Sequence, residues 1–335
     1  TDGGNTDNEY TQKFGKQQGK YYVPQRAAAG LDPWATPQAY DNAKDFFDTG
    51  ITWSNSLNVA QMLDKSSYSI SLGNTHQDGI ISSTGMDRYN VKVSADTKLT
   101  NNWSSGFTAN YITTSIDKAV TSGNGLLRTV YAAPPSYDLA GIPSHVDGNP
   151  YTQNSFRGSF DNAYWAMENN KFTEDTNRFF GNVYASYQTD FGTTNHKLNA
   201  KYMVGVDAYT THYVDSYGYG SNTGGGRGQI ENYGWTNATY NSLLTINYDW
   251  HINEDWGLNA VVGNEIIQSN RKKYYEYGTN YNFPGWNHIN NATTQQTEEE
   301  TWKNRTVGFF GNVSASYKNM LYLTLTRARA MQPTC

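Results

Sequence analysis

Charge is scarce in this sequence of 335 residues, and long apolar runs are absent. Charged residues make up 16% of the chain, against roughly 25% in an average soluble domain. The sequence nowhere contains the roughly 18 to 20 consecutive apolar residues of a membrane-spanning helix. The net charge of −5 gives no basic surface for nucleic acid. A helical membrane protein is therefore excluded, and we expect no nucleic-acid partner.

Cysteine and recognisable catalytic motifs are also rare. The only cysteine is Cys335, so no internal disulfide can form. The six histidines form no H-x-H or H-E-x-x-H pattern, so we expect no metal site. The sequence gives no reason to pair two carboxylates as in a glycosidase, and it has no G-x-S-x-G motif. We therefore expect a protein that is not an enzyme and uses no cofactor.

Aromatic residues are abundant, and they alternate with polar ones. They make up 15% of the chain, and such residues favour strands. In 197–208 the apolar positions are Leu198, Ala200, Tyr202, Val204, Val206 and Ala208. This period of two gives a strand one apolar face and one polar face. The pattern predicts about ten strands, at 51–61, 67–74, 86–97, 103–115, 177–190, 196–213, 230–249, 256–275, 301–318 and 320–326.

The connections between these strands alternate in length. Short ones fall at 62–66, 99–102, 191–195, 251–255 and 318–319, and long ones at 75–85, 116–176, 214–229 and 276–300. Short turns at one rim and long loops at the other are typical of an outer-membrane barrel. Trp103, Phe191, Trp250 and Trp256 flank the short turns. We interpret them as an aromatic girdle at the lipid boundary; the alternative is that each caps a soluble core.

The long loops contain aromatic and amide side chains that suit sugar binding. Aromatic faces stack on sugar rings, and amides hydrogen-bond to hydroxyls. The candidate substrate-contacting residues are Tyr164, Trp165, Tyr217, Tyr219, Trp235, Tyr281, Trp286 and Asn287. They predict a glycan-contacting vestibule. The alternative is that these side chains pack against one another or contact lipid headgroups.

Several segments, taken in order, carry a resemblance to a known family. They are FFDTGIT at 46–52, QDGII at 77–81, RTVYAAPPSYD at 128–138, VGFFGNV at 307–313 and LYLTLT at 321–326. The first resembles the approach to a barrel strand, the next two resemble loops, and the last two resemble a late hairpin. Together they resemble SusC-like (SusC/RagA-type) TonB-dependent transporters of Bacteroidetes, and the resemblance covers about 41–326.

The resemblance implies a function for the parent protein. The family forms outer-membrane barrels of about twenty-two strands around a plug domain. Its members pair with a SusD-like surface lipoprotein and import oligosaccharides or peptides with energy delivered by TonB. The signal, TonB-contacting box and plug of the family are missing from this sequence. We therefore expect a partial all-β, antiparallel up-and-down transmembrane barrel without a plug, which contacts TonB only through the missing region.

The pattern divides the chain into three parts. Residues 1–48 are expected to be irregular and to form a loop of the parent barrel, and residues 49–326 form the partial barrel. Residues 327–335 fit neither the strand pattern nor the family, so we interpret them as an aberrant tail of a truncated or frame-shifted fragment. Two other readings stay open: a plug-free, porin-like outer-membrane protein, and a soluble all-β carbohydrate-binding domain.

Overall fold

The computed structural model describes residues 19–119, 125–223 and 225–331. Its main feature is one antiparallel sheet of ten strands, which confirms the predicted all-β fold. The elements in chain order are β1 (Tyr21–Tyr22), α1 (Pro24–Ala28), β2 (Trp34–Ala35), α2 (Asn42–Phe46), β3 (Thr52–Met62), β4 (Ser66–Asp78), β5 (Gly85–Lys98), β6 (Trp103–Lys118), α3 (Leu126–Ala132), β7 (His145–Val146), β8 (Asn149–Gln153), α4 (Ala163–Asn169), β9 (Lys171–Thr189), β10 (His196–Tyr217), β11 (Gln229–His251), β12 (Trp256–Tyr281), a 3₁₀ turn (Ile289–Asn291), β13 (Ala292–Tyr317) and β14 (Leu321–Met331).

The sheet is an open meander. Its order is β3-β4-β5-β6-β9-β10-β11-β12-β13-β14, and all neighbours are antiparallel. Strands β3 and β14 form its two edges, and they do not pair with each other in the described part of the chain. The arrangement is therefore a section of an up-and-down barrel. None of the helices within the described ranges is long and apolar enough to cross a membrane.

One face of the sheet carries a band of exposed apolar side chains. On β9 the band runs from Phe179 to Tyr187, and Val183 pairs with Val204 of β10. Val183 is 53% exposed and Val204 is 41% exposed. The other sheets of the described residues are two-stranded ribbons, β1-β2 and β7-β8, so no second sheet covers this face. A soluble sandwich buries such a face between two sheets, and that alternative is wrong for this fold.

Aromatic rings border the band at the rim with the short turns. Trp103 packs against Tyr187 with ring centroids 5.0 Å apart, and Trp256 packs against Tyr317 at 4.8 Å. Trp250 stands at the same rim, at the end of β11. All of these side chains lie on the apolar face, because alternate residues of a strand point to the same side of the sheet; they are Trp103, Tyr187, Trp250, Trp256 and Tyr317. Such a row of rings beside an apolar band has the geometry of a membrane-interface girdle.

Several strands continue far beyond the band. Strands β12 and β13 each contain 26 residues, which at about 3.4 Å per residue makes them roughly 88 Å long. A tilted strand needs only about 9–11 residues to cross a bilayer. These strands therefore project beyond the band on the side of the long loops. The predicted boundary of β13 at 301 was wrong, because the strand already begins at Ala292.

The amino-terminal segment is more regular than the sequence indicates. Residues 19–48 contain β1, α1, β2 and α2, each of two or five residues, with irregular chain between them. The expectation that 1–48 is a loop of the parent barrel stays a prediction. These elements are too short for a visible hydrophobic period, and their apolar residues, including Tyr21 and Phe46, are buried by distant parts of the chain. Residues 1–18 lie outside the described part.

Strand β14 also continues beyond its predicted end. It was expected to end at Thr326, yet pairing with β13 extends to Met331. Backbone hydrogen bonds do not depend on the side-chain pattern, so the ladder continues where the alternation fails. Arg327 and Arg329 occupy the apolar face, opposite Gly311 and Phe309. The expectation of an aberrant tail therefore stays a prediction, and residues 332–335 lie outside the described part.

The apolar band gives a direct test of its environment. Val204→Arg should lower the free energy of unfolding in a lipid bilayer by about 2–4 kcal/mol, which is the cost of an arginine side chain against hydrocarbon. The matched control is Met203→Arg, one residue earlier and on the polar face, which should cost less than about 1 kcal/mol. The measurement is urea unfolding in phospholipid vesicles. Equal losses for both variants would contradict a lipid-facing band.

Candidate functional site

The long loops and the amino-terminal segment pack together at one rim of the sheet. We call this assembly, residues 19–48, 79–84, 125–170, 218–223, 225–228 and 282–291, the cap. It holds most of the buried apolar residues of the described chain; its central cluster is Tyr21, Val23, Phe46, Ile81, Leu126, Val130, Tyr137, Leu139, Ile142, Ala163, Trp165 and Ala166. The larger hydrophobic cluster of the described residues is therefore in the cap, and a smaller one lies on β11, β12 and β13 around Ile230.

Hydrogen bonds fix the amino-terminal segment to the 125–170 segment. The Tyr21 hydroxyl donates to the Ser136 carbonyl at 2.5 Å, and burial raises the pKa of this hydroxyl above its ordinary value. The Asn42 side chain donates to the Pro134 carbonyl at 3.3 Å and accepts from the Leu139 amide at 3.1 Å. Residues more than ninety positions apart are thereby held in one unit.

A buried carboxylate, Asp161, connects two loops of the cap. It is 5% exposed, and its oxygens accept from Gln153 Nε2 at 2.7 Å, Ser221 Oγ at 2.6 Å and both nitrogens of Asn222 at 2.8 Å. Its backbone carbonyl accepts from Thr129 Oγ1 at 2.7 Å. A buried charge is tolerated when hydrogen bonds satisfy it in this way. Asp161 therefore joins the 125–170 and 218–228 segments.

Amide side chains fix the last segment, 282–291. Asn287 Nδ2 donates to the Asn169 carbonyl at the end of α4, at 2.9 Å. Asn291, which is 1% exposed, donates to the carbonyls of Phe283 at 2.7 Å and Trp286 at 2.8 Å. These bonds close the loop on itself and attach it to the rest of the cap.

Two of the predicted substrate-contacting residues, Trp165 and Tyr281, are each 0% exposed. The Trp165 ring fills the central cluster of the cap, whereas Tyr281 packs with Ile230 and Ala292 on β11–β13. A substrate contact by either residue stays a prediction. Trp165 Nε1 also donates to the Pro150 carbonyl at 2.8 Å. Tyr164 packs edge-on against Phe46 at 5.3 Å, in the same region.

Three more of these residues contact neighbouring parts of the protein. Tyr217 packs against Phe172 with centroids 5.2 Å apart, and Tyr219 packs against the buried cluster around Ile230. The Asn287 amide is hydrogen-bonded to a backbone carbonyl, as described above. Packing within the loops, the alternative raised by the sequence, thus accounts for much of this set. A substrate contact by Tyr164, Tyr217, Tyr219 or Asn287 stays a prediction.

The remaining two residues lie at separate positions. Trp286 is 44% exposed and stacks on Phe283 at 5.9 Å and on His288 at 4.9 Å, in the outer part of the cap. Trp235 lies on the polar face of the sheet, beside Tyr213 at 5.6 Å. The structure therefore does not bring the eight predicted residues together, and the roles of these two stay predictions.

The polar face beyond the band carries aromatic rings that the sequence analysis did not select. Beside Trp235 lie Tyr233, Tyr275 and Trp302, which come from three neighbouring strands. Burial raises the pKa of the nearby Glu231 carboxyl above its ordinary value. The period-two spacing of Tyr233 with Trp235, against polar neighbours, is the signal that could have identified this surface.

The described residues offer no metal centre. Within 19–119, 125–223 and 225–331, no group of three or more His, Cys, Asp or Glu side chains is placed to hold a metal ion. The histidines that have polar partners are engaged in the protein, as where His76 Nδ1 lies 2.8 Å from Asp87 Oδ1. The candidate site is therefore a binding surface of rings, amides and carboxylates.

Solved structures with a similar fold exist. The RagAB peptide importer in the 'open-open' state superposes with a TM-score of 0.74 at 15% identity, over 98% of this chain and 37% of that chain. The RagAB peptide importer in the 'closed-closed' state and the RagAB peptide transporter both give TM-scores of 0.71, at 15% and 13% identity, over 88% of this chain and 33% of theirs. At these identities the likeness shows the fold alone.

The chain spans about a third of the length of these structures, between 33% and 37%. No protein-family model matches the sequence, and no curated protein matches it either. The fold is therefore that of a section of a larger β-barrel.

The Asp161 network can be tested by one conservative change. Asp161→Asn keeps the shape but replaces one acceptor oxygen with an N–H₂ group that faces donors, so we expect the 218–228 loop to loosen. The cost of an unsatisfied buried donor, about 1–3 kcal/mol, corresponds to at least about fivefold faster opening. Trypsin cleavage after Arg227 in the folded chain measures this.

The control for that experiment is Asp64→Asn, in the exposed turn between β3 and β4 at the opposite rim. It should leave the cleavage rate unchanged. An unchanged rate in Asp161→Asn as well would mean that the carboxylate does not hold the two loops together.

Proposed function

We propose that this chain is part of a TonB-dependent importer of the bacterial outer membrane, of the SusC-like kind, and not an enzyme. The observation that carries the proposal is the apolar face of the ten-stranded sheet. It has no protein cover within the described residues, its band suits the width of a bilayer, and aromatic rings border it at the rim with the short turns.

The likeness to RagAB supports the importer over other outer-membrane barrels. The similarity extends over 98% of this chain in the 'open-open' structure, and that protein is described as a peptide importer. In this proposal the polar face lines a channel that a plug domain occupies. The parent protein acts with a SusD-like lipoprotein, is energised through TonB, and imports glycans or other large nutrients such as peptides.

A plug-free, porin-like protein is the second candidate. The same apolar face and girdle suit it, because every transmembrane barrel needs them. The cap favours the importer, since a large, internally packed outer structure is suited to enclosing a bulky nutrient. The two candidates differ in what the rest of the gene encodes.

The membrane environment predicts how the chain behaves in solution. We expect the 335-residue chain to stay monodisperse only with detergent or lipid, because its apolar face and two open edges otherwise associate. Size-exclusion chromatography with and without detergent measures this. A monodisperse monomer in plain buffer would rule out a membrane-spanning sheet.

The importer itself is tested by the coding sequence on both sides of this segment. We expect the upstream region to encode a plug domain and a TonB-contacting segment, and the flanking regions to encode further strands of alternating pattern. Strands without a plug would instead favour the porin-like protein. Flanking regions that encode neither would contradict both candidates.

A further inference from the structure

Just beyond the apolar band, on the side of the long loops, β12 and β13 carry basic side chains on the apolar face of the sheet. They are Lys272, Lys303 and Arg305, and the amides of Gln268 and Asn270 lie among them. In the register of the two strands, Arg305 pairs with Gln268 and Lys303 pairs with Asn270. All of these side chains point to the face of the band, because they continue its alternation along each strand. We call these five residues the basic cluster.

The basic cluster is confined to two strands. Among the described residues, the other eight strands of the sheet have one lysine and no arginine on this face beyond the band on the long-loop side. That lysine is Lys171, the first residue of β9. Carboxylates occur there instead, such as Asp87 on β5 and Asp175 on β9. Charges on any strand would meet a general need for solubility, so solubility does not explain why the cations collect on β12 and β13.

One carboxylate is paired within the cluster, and the other two cations have none. Glu299 lies 3.0 Å from Lys272 Nζ. The next acid of this face on β12 is Glu276, four residues further and about 14 Å along the strand. Within the described ranges Lys303 and Arg305 form no ion pair, and both are exposed. Three cations against one paired carboxylate leave the cluster with two uncompensated positive charges.

The neighbouring strands do not neutralise the cluster. The residues of β11 that pair with it are uncharged. On β14 the charged residues of this face are Arg327 and Arg329, which are cations as well. The nearest carboxylates of the polar face, Glu231, Glu298 and Glu300, point to the opposite side of the sheet. The cluster is therefore a positive surface that adjoins an apolar one.

The cluster lies at the depth where the proposed membrane has its headgroups. The headgroup region adds roughly 5–8 Å to each side of the hydrocarbon core. The last apolar pair of the band on these strands is Ile266 with Val307. Two residues of a strand tilted by about 40° advance about 5 Å along the membrane normal. Arg305 is therefore about 5 Å and Lys303 about 10 Å beyond the band, and their long side chains reach the headgroups.

The donors of the cluster suit a phosphate group. Arg305 Nε donates to Gln268 Oε1 at 2.9 Å, and Arg305 Nη2 donates to the same oxygen. A guanidinium has five N–H donors, so three stay available in the described structure. The Lys303 ammonium offers three more. Guanidinium and ammonium groups bind phosphate through charge-assisted hydrogen bonds, and Gln268 fixes the guanidinium before a ligand arrives.

We propose that the basic cluster binds the phosphate of a glycolipid in the outer leaflet of the membrane. This inference rests on the proposed function, which places the long-loop side of the band at the outer leaflet. Lys303 and Arg305 bind the phosphate, and the Asn270 amide hydrogen-bonds to the sugar hydroxyls beside it. Exposed apolar side chains of the adjoining band, such as Phe309, contact the acyl chains. This continuity with the band favours a lipid over a free anion.

The test uses the 335-residue chain in detergent micelles and native mass spectrometry, which counts the lipids bound to each chain. The probes are monophosphoryl lipid A, phosphatidylglycerol and phosphatidylcholine. We expect monophosphoryl lipid A to bind about threefold more tightly than phosphatidylglycerol and at least about tenfold more tightly than phosphatidylcholine. Equal binding of phosphatidylglycerol would reject recognition of the sugar, and equal binding of phosphatidylcholine would reject the site; either result overturns the proposal.

Inorganic phosphate distinguishes a lipid site from a site for a free anion. An excess of about a thousandfold should leave most of the monophosphoryl lipid A bound, because free phosphate lacks the acyl chains that bury apolar surface. Complete displacement would mean that the cluster holds any phosphate, and it would overturn the lipid.

Substitutions locate the site. Lys303→Gln combined with Arg305→Gln should weaken monophosphoryl lipid A at least about tenfold, since both cations that bind the phosphate are lost. The matched control is Arg88→Gln combined with Lys92→Gln, which removes an exposed arginine and lysine from the polar face of β5 and should leave binding unchanged. Circular dichroism should show the same strand content in both variants. Equal losses in both would mean general attraction to the chain and reject the cluster.

Removal of the paired carboxylate tests the charge in the opposite direction. Glu299→Gln frees Lys272 from its ion pair, so monophosphoryl lipid A should bind about threefold more tightly. This variant gains affinity, so a folding defect cannot imitate the expected result. Unchanged or weaker binding would reject an electrostatic site at this position.

The outcomes also separate the basic cluster from the importer. A plug domain encoded upstream, without a preference of this chain for monophosphoryl lipid A, keeps the importer and rejects the cluster. Lipid binding that depends on Lys303 and Arg305, in a gene without a plug, keeps the cluster and rejects the importer.

Discussion

The structure combines a backbone whose hydrogen bonds are made within the sheet with apolar side chains that no protein layer covers. The ten strands pair their backbones with their neighbours, except on the outer sides of β3 and β14, and such pairing is what a sheet needs in a medium without water. Their apolar side chains, in contrast, are covered by no second layer of the described protein: Leu244 and Val262 are 38% and 54% exposed. Hydrocarbon is the solvent in which such a sheet has lower free energy than in water.

The same strands pass from one solvent to another, and the two ends are stabilised differently. Within the band, the favourable term in the proposed membrane is the contact between apolar side chains and lipid. Beyond it, the cap has its own buried core around Trp165 and a satisfied polar network around Asp161. Apolar burial and a satisfied polar network both stabilise a protein in water, so the cap does not need the bilayer for its stability.

The change from an apolar to an aqueous environment along the strands also determines which parts of the fold the sequence pattern predicts. Period two predicted β10 well over 198–208, because one face of the strand is apolar and the other polar. It failed for the first residues of β13, where Glu298 and Glu300 look like a solvated loop, since both faces of that stretch are in water. Aromatic content alone could not separate the buried Trp165 from the exposed Trp302, because only three-dimensional packing decides which ring is covered.

The end of β14 shows where backbone pairing and solvent preference conflict. Leu321, Leu323 and Leu325 extend the apolar face, whereas Arg327 stands opposite Gly311, which in turn pairs with Val262 inside the band. An arginine at the middle of a bilayer costs about 2–4 kcal/mol, about as much as two to four net backbone hydrogen bonds return. The ladder therefore reaches Met331 as a hydrogen-bonded structure, while the part that hydrocarbon favours ends near Thr326. The sequence pattern gives the end of the apolar segment near Thr326, and the backbone geometry gives the end of strand pairing at Met331. The two boundaries differ because they describe different properties.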